Sequence, residues 1–184
     1  GRLPEQDAQP HLPDALLRAG SGAQRPAVDG RHRPAGTGPD GQPWYGGCRT
    51  AEQYAEAAAR AVERGYTGIK FDPFGVAYRE MTPEAMDQAE TLVEAVRRKI
   101  GERVKLMIEV HGRLSVASAI EMGRRLEKYR PAWFEEPVTP HSLDLLLEVK
   151  KALPFSIAAG ERLYTLPEFF RLISLRAADV VQMD

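Results

Sequence analysis

The sequence predicts an α/β fold: a partial TIM-type (β/α) barrel of about five to six parallel βα units. Three observations predict it. Four short apolar runs each end in a carboxylate: Leu106–Glu109, Ala132–Glu135, Ile157–Glu161 and Val180–Asp184. Their spacing is even, with 26 residues from Glu109 to Glu135, 26 again to Glu161 and 23 to Asp184. A stretch with helical signals separates each pair of runs. Strand, helix, strand at a steady period marks a βα repeat, and parallel strands bring their C-terminal ends to one face.

Residues 1–43 stand apart. They are rich in Pro, Gly, Arg and Ala and carry no period of 2 or 3.6, apart from a helical turn or two over Leu12–Arg18. Such a segment buries too little apolar surface to offset its ordering entropy. It reads as an irregular leader, disordered or translated out of frame. The barrel domain is then 44–184.

Order begins at Trp44-Tyr45, which reads as the end of a strand. Thr50 and Gln53 form a capping box for a helix whose stripe is Tyr54, Ala57, Ala58, Ala61 and Val62, with Gly65 beyond its end. Gly68–Asp72 is a strand closed by Pro73. Thr82 and Pro83 open a second helix, with Met86, Ala89, Val93, Val96 and Ile100 on one face and Gly101 as its stop. Strand Val104–Val110 follows. Ser115 caps a third helix with Val116, Ala119, Ile120, Gly123 and Leu126 inward. Ala132–Glu135 is a strand, and Ser142 caps a fourth helix through Leu143, Leu146 and Leu147. Phe155–Ala159 is a strand. Thr165 and Glu168 form a capping box before Phe169, Phe170, Leu172 and Ile173. Ala178–Met183 is the last strand.

Alternation of this kind implies a parallel sheet under helices, as an open doubly wound sheet or as part of a barrel. No Gly-rich phosphate loop follows a strand. Carboxylates at successive strand ends favour the barrel, whose sites are built there.

Composition narrows the partners. With 25 basic and 26 acidic residues the net charge is −1, which gives no electrostatic case for nucleic acid or an anionic membrane surface. No apolar run is long enough for a membrane span. Cys48 is the only cysteine, so no internal disulfide forms. A cytoplasmic protein with a small-molecule substrate is the expectation.

Residues i and i+2 share a strand face, so Glu109 groups with His111 and Lys70 with Asp72. Glu135 and Glu136 point opposite ways. The even spacing selects Glu135 as the ligand and leaves Glu136 outside or in support. Converging Glu109, Glu135 and Glu161 repel unless a cation neutralises them, and a hard divalent ion such as Mg²⁺ suits oxygen ligands. A lone carboxylate at a strand end more often caps the next helix.

The set Lys70-Phe-Asp-Pro-Phe, Glu109-Val-His-Gly-Arg113, Phe134-Glu-Glu-Pro137, Gly160-Glu-Arg162 and Gln182-Met-Asp184 resembles the enolase superfamily. Within it, the mandelate racemase branch and its galactonate-type sugar-acid dehydratases are most similar. The resemblance covers roughly Trp44 to Asp184. It implies that Glu109, Glu135 and Glu161 hold Mg²⁺, with Glu109 standing where relatives more often have Asp. It implies His111 as the general acid, and Asp184 as half of a His–Asp dyad. Lys70 joins this catalytic set by offsetting negative charge, while Asp72, Arg113 and Arg162 contact substrate or the neighbouring carboxylates. Many racemases of the branch carry Lys-x-Lys where this chain has Lys70-Phe-Asp72, which favours dehydration over racemisation. A racemase, epimerase or cycloisomerase is the alternative, as is a truncated product with no enzymatic role. Relatives carry a capping domain with no counterpart here, and no histidine follows His141. The expectation is a fragment, inactive alone, of an enzyme that is a homo-oligomer at full length.

Overall fold

The computed structural model describes residues 44–183. The expectations for residues 1–43 and for Asp184 lie outside the described residues. Five parallel strands, β1 (Gly68–Phe71), β2 (Lys105–Glu109), β3 (Trp133–Glu135), β4 (Ile157–Ala159) and β5 (Val180–Val181), form one sheet in sequence order. Helix α1 (Ala51–Glu63) precedes β1, and α2 (Pro83–Ile100), α3 (Val116–Leu126), α4 (Leu143–Ala152) and α5 (Leu166–Ser174) fill the crossovers. Each strand pairs with the next in register, Glu109 beside Glu135 and Glu135 beside Ala158. Among the described residues β1 and β5 remain the two edges of the sheet.

Local chemistry accounts for the helices. The Thr50–Gln53 capping box is present in α1, and Thr82 and Ser115 accept from backbone amides in the first turns of α2 and α3. Gly101 ends α2 at φ +71°, a conformation that costs glycine little. At α5 the Glu168 carboxylate accepts from the amides of Tyr164 and Thr165. Ser142 stands at the start of α4 but makes no capping bond.

The core lies between the outer sheet face and the helices. Ile69, Phe71, Leu106, Ile108, Phe134 and Ile157 are buried there against Met86, Val93, Val96, Met122, Leu126, Leu146 and Leu172. Burying each such side chain contributes about 1.5–3 kcal/mol. The predicted stripe of α2 is buried at all five positions.

Elsewhere the expected faces shift. In α3, Met122 and Ser118 are buried while Val116 and Ile120 are only partly covered. Ser118 is tolerated inside because its hydroxyl accepts from the Met81 amide and donates to Glu80. In α4, Val149 replaces Leu147 at the centre of the contact. In α5, Phe169 and Leu172 are buried, whereas Phe170 and Ile173 are 72% and 59% exposed. Trp44-Tyr45 is a turn rather than a strand end: the indole packs on Phe71 and donates to the Lys70 carbonyl at 2.7 Å. No helix among the described residues is long and apolar enough to cross a membrane.

Candidate metal centre

The pleat aims Lys70, Met107, Glu109, Trp133, Glu135 and Ala158 to the inner side of the sheet, because in-register neighbours of parallel strands share a face. Glu109 and Glu135 therefore meet at the C-terminal ends of adjacent strands. Both are buried, at 3% and 0% exposure.

Glu161 needs a different explanation. Counted from Ala158, strict alternation would send it to the helix side. Gly160 breaks the alternation at φ +132°, and one oxygen each of Glu109, Glu135 and Glu161 then lie within 4.8 Å of one another. The left-handed conformation recurs at the neighbouring strand ends, at His111 (φ +58°) and Glu136 (φ +41°). Positive φ at non-glycine residues is costly and clusters at functional sites.

Lys70 is the cation inside this acidic group. Its Nζ lies 2.9 Å from Glu109 Oε2 and 2.5 Å from Glu135 Oε1. Burial disfavours the ammonium, but its bonds to the two glutamates prevail and raise its pKa. Burial, then the hydrogen bond and charge of Glu135, push the Glu109 carboxyl up to about 7 against the pull of Lys70. Burial opposes ionisation of Glu135 as well, yet its bonds with Glu109 and Lys70 hold it below the ordinary carboxylate value. A proton on Glu109, shared towards Glu135, thus relieves part of the repulsion.

The residues fit a hard divalent cation. Their donors are carboxylate oxygens within reach of a common point. Three ionised carboxylates against one ammonium also leave two negative charges, the charge such an ion cancels.

The other predicted site residues form a second group. Asp72 Oδ2 accepts from His111 Nδ1 at 2.8 Å and from Arg113 Nη2. The hydrogen bond donated to Asp72 raises the His111 pKa, with burial opposing and the charge of Glu109 assisting. Arg113 also donates to the carbonyls of Val110 and Gly75. Arg162 donates to the His111 carbonyl at 2.6 Å and lies 3.2 Å from Glu136 and 3.8 Å from Glu161. Both arginines thus serve the neighbouring carboxylates and backbone.

Two further residues border the site. Trp133 donates from its indole nitrogen to Glu135 Oε2 at 2.9 Å, and the i, i+2 rule already contained that pairing. Glu136, expected outside or in support, is 1% exposed, and neither carboxylate oxygen is hydrogen bonded among the described residues. Burial raises its pKa, with the charge of Arg162 opposing. Its partner stands in the next βα unit, so no local pattern announces it.

Comparison with known proteins follows the same lines. Residues 53–184 match the family model described as Enolase C-terminal domain-like. A D-gluconate dehydratase of Thermoproteus tenax is 39% identical over 141 residues, 77% of this chain and 28% of that protein. A D-gluconate/D-galactonate dehydratase of Picrophilus torridus is 35% identical over 77% of this chain and 36% of its own length. The crystal structure of a mandelate racemase/muconate lactonizing enzyme-like protein from Rubrobacter xylanophilus superposes with a TM-score of 0.69 at 35% identity, covering 73% of this chain and 36% of that one. The chain spans roughly a third of the length of these relatives. With its parallel βα order and its match over most of its length, the chain belongs to the enolase superfamily, on the mandelate racemase/muconate lactonizing enzyme side, as part of the barrel-forming C-terminal domain.

Proposed function

We propose that this chain is the metal-binding part of a sugar-acid dehydratase, converting a galactonate-like aldonate to a 2-keto-3-deoxy acid. The observation that carries the proposal is the convergence of Glu109, Glu135 and Glu161 beside His111. The dehydratase relatives support the same class. A divalent cation held by the three glutamates, Mg²⁺ by family likeness, supplies positive charge to a substrate carboxylate as the proton beside it is removed.

The remaining steps are proton transfers by protein side chains. A base takes the proton from C2, and the electron pair forms the C2–C3 double bond as the C3–O bond breaks. His111 gives its proton to the departing hydroxyl, which leaves as water. The enol then takes up a proton at C3 to give the keto acid. Lys70 holds Glu109 and Glu135 in place and offsets their charge. The resemblance assigns the base to a His–Asp pair that includes Asp184, and no histidine follows His141. We therefore propose that turnover requires a longer polypeptide, a cytoplasmic homo-oligomer, and that residues 1–184 alone are inactive.

The test is a screen of the full-length protein with Mg²⁺ against a panel of aldonates, following 2-keto acid formation and optical rotation together. Keto acid release at ordinary enzyme rates supports dehydration. Loss of rotation without keto acid would assign a racemase or epimerase instead.

A further inference from the structure

We propose that Asp72 is the positioning residue of His111, not a substrate ligand: it holds the imidazole by Nδ1 so that Nε2 delivers the proton. This inference rests on the reading of His111 as the acid of a dehydratase. It differs from the expectation that Asp72 contacts substrate.

Both oxygens of Asp72 are already engaged. Oδ1 accepts from the Phe74 amide at 2.9 Å, and Oδ2 accepts from Arg113 and from His111 Nδ1. Arg113 is itself fixed by two backbone carbonyls, so the carboxylate cannot swing away without stranding a guanidinium. The backbone of His111 is pinned as firmly. Its amide donates to Glu109 Oε1 at 3.1 Å, and its carbonyl accepts from Arg162 at 2.6 Å. Its φ of +58° is the bend that this double anchoring maintains. Nε2 makes no hydrogen bond among the described residues. An acid histidine needs this arrangement, with one ring nitrogen committed and the other free at the substrate, since the committed partner sets the tautomer.

Asparagine at this position makes a sharp probe. An amide offers one acceptor where the carboxylate offers two. If its NH₂ takes the place of Oδ2, it faces the donors of Arg113 and His111, and the ring must turn or change tautomer.

The experiment uses the full-length protein with Mg²⁺ and the best aldonate. In Asp72→Asn, dehydration should fall by about 10²- to 10³-fold in kcat, the usual weight of a positioned acid, with KM changed far less. Exchange of the C2 hydrogen with solvent deuterium should persist, because the base does not depend on Asp72. On a His111→Asn background the same substitution should cost nothing further. Dehydration within threefold of the parent, exchange lost in step with dehydration, or a full additional cost on the His111→Asn background would each overturn the proposal. If Asp72→Asn does not fold, ¹⁵N spectra of the parent decide. Neutral His111 should carry its proton on Nδ1, and a proton on Nε2 would overturn the assignment. A parent that forms no keto acid would sink the dehydratase reading while the ring orientation still reads out by NMR.

Discussion

Gly160 is pressed against the carbonyl oxygen of Gln182: a β-carbon on Gly160 would stand 2.3 Å from that oxygen and 3.1 Å from the ring of Phe169. The first contact is with backbone, which cannot move aside cheaply. The φ of +132° adds a conformational penalty for any L side chain.

Gly160→Ala should therefore lower stability by about 2–4 kcal/mol, the combined cost of strain and overpacking. It should also turn Glu161 out of the triad, weakening Mg²⁺ binding at least tenfold. Chemical denaturation and calorimetric titration check the two effects. Unchanged affinity in a folded variant would mean that Glu161 does not depend on this bend.

Lys70→Met should make stability depend on divalent cations. Removing one partner of a buried ion pair costs on the order of 3 kcal/mol, because the remaining charges are left uncompensated. Mg²⁺ should restore most of that loss, since a ligand of the native state stabilises it by mass action. Melting temperatures with EDTA and with saturating Mg²⁺ should differ far more in the variant than in the parent. Equal differences would contradict the role given to Lys70.

The raised pKa of Glu109 sets a pH dependence with a definite sign. Its folded value near 7 exceeds the ordinary value of 4.5, so the native state holds the extra proton between these limits. Without a divalent cation, this group's contribution makes stability fall as pH rises from 4.5 to 7. Cation binding must displace that proton, so Mg²⁺ affinity should rise by up to about tenfold per pH unit below 7 and level off above it. Titrations at three pH values in buffers of different ionisation enthalpy read both the slope and the proton release. A flat profile would place the proton elsewhere.

The two faces of α5 separate cleanly. Leu172 is fully buried, so Leu172→Ala should cost about 2–5 kcal/mol. Phe170 is 72% exposed, and Phe170→Lys should stay within about 0.5 kcal/mol while raising solubility. Denaturant midpoints with unchanged slopes would verify the contrast.

That contrast also marks how far the sequence is legible. Period and caps locate α2 to the residue, because Thr82, Pro83 and Gly101 punctuate it and its stripe packs on a single surface. The triad is legible because the 26-residue spacing repeats one βα unit. What fails is whatever depends on a neighbour remote in sequence. An amphipathic pattern does not say which flank of a wide apolar stripe is covered, hence Phe170 and Ile173. Alternation cannot anticipate a reversal at a glycine, and it does not foresee that Lys70 joins Glu109 while Asp72 joins His111. Glu136 is buried opposite Arg162, two βα units being needed to define the pair.

The three glutamates stand at the ends of β2 and β3 and just past β4, three consecutive strands, with nothing borrowed from the sheet edges. Cation capture thus has no need to wait for ring closure. A cation bound there would have its three protein oxygens from residues 109–161 alone.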